Sequence, residues 1–171
     1  MKNPIKTNIL LVITMLISIN SFACDCQCKG DCSFSVISDT REFVALVKVI
    51  EYTSYIDHQI IGYDKKMPLT MTVEIIKTYK GTESREKITI WGDNGNQCRP
   101  YLSEFEIGEC YLIAPNLLDY DSEIGAKNDY DFFSCHSDFI LVDFDKKIAL
   151  GEYSRKRKEI SLEEFERELK K

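Results

Sequence analysis

The residues of this chain best suited to chemistry are its seven cysteines, all of which lie at or after position 24. Four are crowded as Cys24-x-Cys26-x-Cys28-x3-Cys32, and Cys98, Cys110 and Cys135 follow at long intervals. Thiolates at the crowded spacing would suit a soft-metal cluster in a reducing compartment, whereas in an oxidising one cysteines pair as disulfides. The compartment therefore decides the chemistry. Seven is odd, so at least one thiol is free or pairs with another molecule.

The first residues speak to the compartment. Lys2 and Lys6 precede an apolar stretch from Ile9 to Ile19, and Ser21-Phe22-Ala23 then gives a small-x-small exit. A basic head, a short apolar core and small residues at the exit make a secretory signal over residues 1–23, with Cys24 first in the mature chain. The apolar stretch is too short to span a bilayer, which takes roughly 20 residues. We therefore expect a secreted or periplasmic protein with no transmembrane segment once the signal is removed. Lipid anchoring at Cys24 is the competing reading. It is disfavoured because Ser21 and the bulky Phe22 stand where a lipobox carries leucine and a small residue. Export favours disulfides over reduced metal ligands.

Cutting residues 1–23 from the 171 leaves 148, the size of one domain with a real core. Loss of Lys2 and Lys6 takes the formal charge from −6 to −8. The one basic run, Arg155-Lys156-Arg157-Lys158, is followed at once by acidic residues and reads as the solvated approach to a helix. So acidic a chain is a poor partner for nucleic acid.

A search for catalytic groups finds no constellation. His58 lies in a polar stretch and His136 sits beside Cys135, with no third zinc ligand and no HExxH. GxSxG and phosphate-cradling glycine loops are absent from the sequence. Cys135 and His136 are neighbours, and neighbours on a strand point to opposite faces. Asp143 and Asp145 could hold a cation, but acidic pairs at strand ends are usually just solvated. An enzyme is the weaker reading, and no cofactor is implied.

The elements that must position these residues are mostly strands. Residues 33–41 could hold a short helix. Glu42–Tyr52 (EFVALVKVIEY) is β-branched and aromatic, with apolar residues on both faces, and reads as a largely buried strand. Residues 53–68 form a loop or protruding hairpin, Thr70–Tyr79 a second strand ended by Lys80-Gly81, and Lys87–Trp91 a third. Gly92-Asp93-Asn94-Gly95-Asn96 is a turn signal, Cys110–Ala114 a fourth strand, and 116–130 an acidic loop. Phe132-Phe133 and Phe139–Phe144 suggest one or two more strands. Ser161-Leu162-Glu163-Glu164 is a capping box with Ile160 and Phe165 at the staple positions, opening a terminal helix. Leu162, Phe165 and Leu169 share its apolar face. Five or so short strands with one or two helices suggest a closed or partly closed barrel, and an open sheet packed on helices fits the same pattern.

A chain that starts at Cys24 could do one unusual thing. Its α-amino group and its own carbonyl oxygen would form a five-membered metal chelate. The amine must be neutral, and a free α-amino group titrates near 7.7–8.0, so near neutral pH deprotonation costs little. A loose terminus would be a poor ligand, since ordering costs roughly 1–2 kcal/mol per residue. Disulfides from Cys24 and Cys26 to distant strands would meet that cost beforehand, and such long bridges stabilise a fold by about 4–5 kcal/mol each. The preorganised chelate could then enter the open zinc position of another protein's active site. The plainer reading is that these cysteines only staple the terminus to the domain.

These features together resemble the netrin-like domains, whose best-known members are the tissue inhibitors of metalloproteinases. The resemblance lies in Cys24-Asp25-Cys26 after the cleavage point, the FVALVKVI strand, and Val73–Gly81 (VEIIKTYKG), which is similar to the V-x-x-V-x-K-x-[WY]-K-G pattern of bacterial members. Cys98, then Gly108 with Tyr111-Leu112-Ile113, then Cys135 and a terminal helix follow in the family's order. The resemblance covers most of residues 24–171, in scattered short motifs, and implies a mainly β fold: a five-stranded OB-type barrel with a C-terminal helix and a disulfide-tethered N-terminus. It implies bridges like Cys24–Cys98 and Cys26–Cys135, with Cys28, Cys32 and Cys110 left for one further bridge and one spare thiol. By the same resemblance Cys24 would chelate the catalytic zinc of a target metalloprotease, and Asp25 would enter the target's specificity pocket. Asp25 replaces the Thr or Ser usual there, and Gln27-Cys28 replaces a small-or-apolar residue and proline. These departures weaken the case for inhibiting animal-type proteases and do not touch the fold. A non-inhibitory binding or adhesion module of the same fold is the alternative, and a cysteine-rich metal carrier is the third.

Overall fold

In Val44–Val49 the apolar side chains Val44, Leu46 and Ala45, Val47, Val49 point alternately to two faces, and all five are buried. A strand apolar on both faces must lie between two layers. That strand, β1 (Val44–Tyr55), is the centre of the fold in the computed structural model, which describes Cys24 and residues 31–170. The expected signal over 1–23, and Asp25, Cys26 and Cys28, lie outside the described residues.

The chain order is α1 (Phe34–Thr40), β1, β2 (Pro68–Lys80), β3 (Lys87–Trp91), a 3-10 turn (Leu102–Glu104), β4 (Cys110–Ile113) and β5 (Asn116–Leu117). It continues with β6 (Tyr130–Asp131), β7 (Phe139–Asp143), β8 (Ile148–Leu150), β9 (Glu159–Ser161) and α2 (Leu162–Leu169). The nine strands of the described residues join one sheet in the order β5-β6-β3-β2-β1-β4-β7-β8-β9. Every ladder is antiparallel except β3 with β6. The ladder does not close on itself: β5 and β9 are its two ends. Among the described residues no helix is long and apolar enough to cross a membrane.

One face carries a core from β1 (Ala45, Val47, Val49), β2 (Met71, Val73), β3 (Ile88, Ile90) and β4 (Tyr111, Ile113). Phe105 stacks on Phe132 at 5.6 Å and meets Phe139 at 4.3 Å, filling the middle. The other face packs Val44, Leu46, Leu112, Ile140 and Val142 under α1 and α2, with Phe34 and Phe165 as the helical plugs. Phe132 is therefore a core residue in an irregular segment, not part of the strand expected at Phe132-Phe133, since β6 ends at Asp131. Strands β8 and β9 were not expected. The 116–130 stretch, read as a loop, contains β5 and ends on β6.

Turn chemistry fixes the joints. Gly81 has φ 81° and lies so close to β1 that an added Cβ would stand 2.2 Å from the Glu42 carbonyl oxygen. Only glycine fits both demands. Lys80, beside it, donates from Nζ to the Asp39 and Ser38 carbonyls at 2.7 and 3.3 Å and so satisfies the last turn of α1. At the other end of the chain, Ser161 Oγ accepts from Glu164 N at 3.2 Å, the expected cap. The Glu164 side chain binds Arg157 at 2.8 Å instead of reaching back to Ser161.

The β2–β3 turn is clamped to β6 by charge. Glu83 accepts from Arg85 Nε and Nη2 at 3.0 and 2.7 Å and from the Tyr130 hydroxyl at 2.9 Å. The paired Arg85 holds Glu83 down to a pKa of about 2, and burial pushes Tyr130 up to about 12. Glu83 thus binds its proton more weakly folded than unfolded. It contributes stability above pH 4.5, lost as pH falls toward 2. The melting-temperature difference between wild type and Glu83→Gln should shrink steadily over that window. A difference constant from pH 5 to 2 would show that the carboxylate charge is not what holds the turn.

Candidate functional site

Cys24 is exposed and bridged to Cys98 across 74 residues, with the two Cα atoms 5.7 Å apart. This is the bridge that the resemblance implied. Of the other described cysteines, Cys32 and Cys135 are also disulfide-bonded, and Cys110 is free and buried. Burial pushes the Cys110 thiol up, away from the reactive thiolate.

What positions Cys24 is the loop that carries Cys98. Asp93 follows β3 with its carboxylate almost fully buried, and Oδ1 accepts from Gly95 N while Oδ2 accepts from Arg99 N at 3.0 Å. An aspartate that bonds the backbone two residues on is the ordinary start of an Asx turn. Asp93 N donates to the Pro100 carbonyl at 3.2 Å and closes the loop base. Arg99 is 5% exposed, with Nε on Asp131 Oδ2 at 2.8 Å and Nη1 on the Ile124 carbonyl at 2.5 Å. Asp131 in turn accepts from Asn116 at 3.1 Å. A buried guanidinium paired and hydrogen-bonded in this way would be costly to break, on the order of 3–5 kcal/mol.

Cys98 has φ 55°, a left-handed conformation that costs a residue with a Cβ about 1–3 kcal/mol and persists only where surroundings enforce it. Here Ser134 enforces it, donating from N and Oγ to the Cys98 carbonyl at 2.8 and 2.9 Å. The 134–138 segment thereby gathers the bridged residues: Cys135 follows Ser134, and Ser137 N donates to the Cys32 carbonyl at 2.9 Å.

Below it lies Asp138, fully buried. Its Oδ2 accepts from Phe133 N at 2.7 Å, and its Oδ1 accepts from Arg41 Nη2 at 3.3 Å. His136 Nδ1 is 3.6 Å from the same oxygen and 3.2 Å from the guanidinium. Burial lifts the Asp138 carboxyl above the usual range, against the pull of the Phe133 amide and Arg41. Arg41 Nε also reaches the Ala114 carbonyl, so this cluster locks α1 to the end of β4. It is a structural knot. With Cys135 oxidised, His136 has no thiol beside it to activate.

The remaining sequence candidates scatter. His58 is exposed in the β1–β2 loop. Asp143 accepts from Lys146 N and Nζ at 3.1 and 2.6 Å, a turn clamp. Within the basic run, Arg157 binds Glu164 and Glu168 and lies 4.7 Å over the Tyr153 ring, while Lys158 pairs with Glu152 at 2.6 Å. Arg157 therefore ties α2 to the body of the fold; it is not simply solvated. Among the described residues no three of His, Cys, Asp and Glu are grouped to hold a metal ion.

Sequence reasoning marked the 92–96 turn but missed Asp93 as its organiser, although its place two residues before Gly95 was a readable signal. Arg99, Ser134, Arg41 and Asp138 gave no signal, because each finds its main partner far along the chain. Chemically, the arrangement ties one exposed cysteine by its side chain to a hydrogen-bonded loop.

A scan against models of known protein families and a search of curated proteins both find no match to this chain.

Proposed function

We propose that this chain is an exported netrin-like domain of the OB type. It would block a zinc metalloprotease by presenting the α-amine and carbonyl oxygen of Cys24 as a chelate. The observation that carries the reading is the Cys24–Cys98 bridge onto a loop locked by Asp93 and Arg99. A terminal residue held in this way gives up little further freedom on binding, so chelation need not offset the roughly 1–2 kcal/mol per residue that a loose end would cost. The amine would be largely neutral at slightly alkaline pH and could occupy the zinc position that catalysis reserves for water.

The barrel part of the proposal is supported by the strand path β3-β2-β1-β4-β7, whose inner-face residues converge on one cluster. It is supported too by repeated register shifts along the β1–β2 ladder, the kind of irregularity that coils a sheet. Export is supported by the signal-like residues 1–23 and by the oxidised state of Cys24, Cys32, Cys98 and Cys135. Asp25 narrows the target. A carboxylate entering a protease pocket is costly to desolvate unless the pocket supplies a cation or several donors, so the preferred protease would have a basic or strongly polar specificity pocket.

The test is a protein whose first residue, confirmed as Cys24 by N-terminal mass, is compared with one extended by a single alanine. Both are assayed on a panel of zinc endopeptidases with apolar and with basic specificity pockets. The extension should weaken inhibition by at least about 100-fold, the scale of roughly 3 kcal/mol of lost contact. Potency that survives the extension would rule out the amine chelate, and no inhibition by either form across the panel would leave a non-inhibitory binding module of the same fold.

A further inference from the structure

Away from Cys24, the sheet leaves part of its inner face uncovered where β7 and β8 run past the main core. Tyr111, Leu141 and Leu150 stand opposite one another across β4, β7 and β8 and therefore share a face. Tyr111 is buried, but Leu141 and Leu150 are 39% and 38% exposed. They line a groove of about 670 Å³ together with His136, Ser137, Glu152 and an acidic wall of Glu104, Glu106 and Glu109. A second hollow continues from the same two leucines toward Phe144, which is 52% exposed.

The acidic wall is built, not loose. Glu109 N donates to the Glu106 carbonyl at 3.2 Å, with Gly108 at φ 94° in the third position, a turn that requires positive φ there. Gly108 N donates to the Val49 carbonyl and Val49 N to the Glu109 carbonyl, at 2.8 and 3.0 Å, stapling the turn to β1. Glu106 N donates to the Tyr111 hydroxyl at 3.1 Å, so wall and floor are hydrogen-bonded to each other.

The three wall carboxylates have no cation and no hydrogen-bond donor among the described residues. Nearby acids do: Asp143 has Lys146 and Glu152 has Lys158. Desolvation lifts the Glu104 carboxyl above its ordinary range, as befits a carboxylate crowded by protein without a counter-charge. An apolar floor beside three carboxylates without a counter-charge matches one ligand chemistry.

We infer that this groove docks a segment of a partner protein in which lysine or arginine alternates with large apolar residues. The apolar side chains would cover Leu141 and Leu150, and the cations would meet Glu104, Glu106 and Glu109. An anionic membrane is repelled by the same wall. The inference stands apart from the zinc chelate: among the described residues Leu141, Leu150, Glu104, Glu106 and Glu109 make no hydrogen bond to Cys24 or to the Cys98 loop, and only His136 and Ser137 belong to the neighbouring 134–138 segment.

The test uses a short fluorescein-labelled peptide of alternating lysine and leucine, N-acetylated so that it carries no chelating amine, against a glutamate–leucine and a lysine–serine peptide. Fluorescence anisotropy should show binding of the lysine–leucine peptide alone, weakened by added salt. Glu106→Gln and Glu109→Gln should each weaken it by about two- to fivefold, as expected for exposed ion pairs. Leu141→Ser should abolish it, with an unchanged melting curve showing that the exposed site was altered without unfolding. Equal binding of either control peptide, or binding indifferent to these substitutions, would overturn the inference. So would sedimentation as a dimer that Leu141→Ser dissolves, because the face would then belong to a second copy of the chain.

Discussion

Phe165→Ala should lower the free energy of unfolding by about 3–5 kcal/mol, the usual cost of emptying a buried aromatic site. Phe165 is 1% exposed and meets three rings: Tyr79 at 5.1 Å, Phe34 at 5.7 Å and Tyr153 at 6.3 Å. These rings come from β2, α1 and the segment between β8 and β9, so one side chain joins four parts of the chain. The cavity cannot close by a simple rotamer change, because the Tyr153 hydroxyl is held by Glu168 and its ring is covered by Arg157. Urea unfolding should show an earlier midpoint with little change in slope. Amide exchange should show β9 and α2 opening before β1. A loss below about 1 kcal/mol would mean that α2 rests on the Arg157–Glu164–Glu168 ion pairs, which exposed pairs rarely support.

The second large effect belongs to the bridge. Replacing both Cys24 and Cys98 by serine should cost about 2–4 kcal/mol, mostly by freeing the unfolded chain. A 74-residue separation alone would place the value near the upper figure. The bridges at Cys32 and Cys135 already confine part of the unfolded chain and draw it down. The Cys98 loop should survive, because Asp93, Arg99 and Ser134 hold it without sulfur. The test is therefore double: a lowered urea midpoint, with the nuclear resonance shifts of residues 93–96, away from the substituted residue, unchanged. Loop resonances that broaden or move would mean that the bridge shapes the loop, so the loop could not be a ready-made anchor.

The strands that the sequence marked are those whose burial is patterned over several residues. Glu42–Tyr52 carried enough apolar and β-branched residues to mark β1, and Lys87–Trp91 alternates cleanly enough to match β3 residue for residue. Strands β8 and β9 are three residues each amid charged neighbours, too short for a period to show. Phe132-Phe133 misled because adjacent aromatics resemble a strand core, yet Phe132 enters the Phe105–Phe139 stack from a loop while Phe133 turns to His136. At the site, cysteine spacing and the 92–96 turn were visible. The partners that fix them were not, because Arg99 reaches Asp131 and Ser134 reaches Cys98 across more than thirty residues. Long-range polar pairs leave no local periodicity.

The sheet begins in a strand of two residues and ends in one of three, with its longest members, β1 and β2, deep inside. Stubs this short offer a passing chain almost no row of unpaired amides to extend. A concentrated solution of the folded protein should therefore resist growing into fibrils from its flanks. Such assembly would have to start instead on β1 beyond Lys48 or on β2 beyond Glu74, where the ladders to β4 and β3 stop.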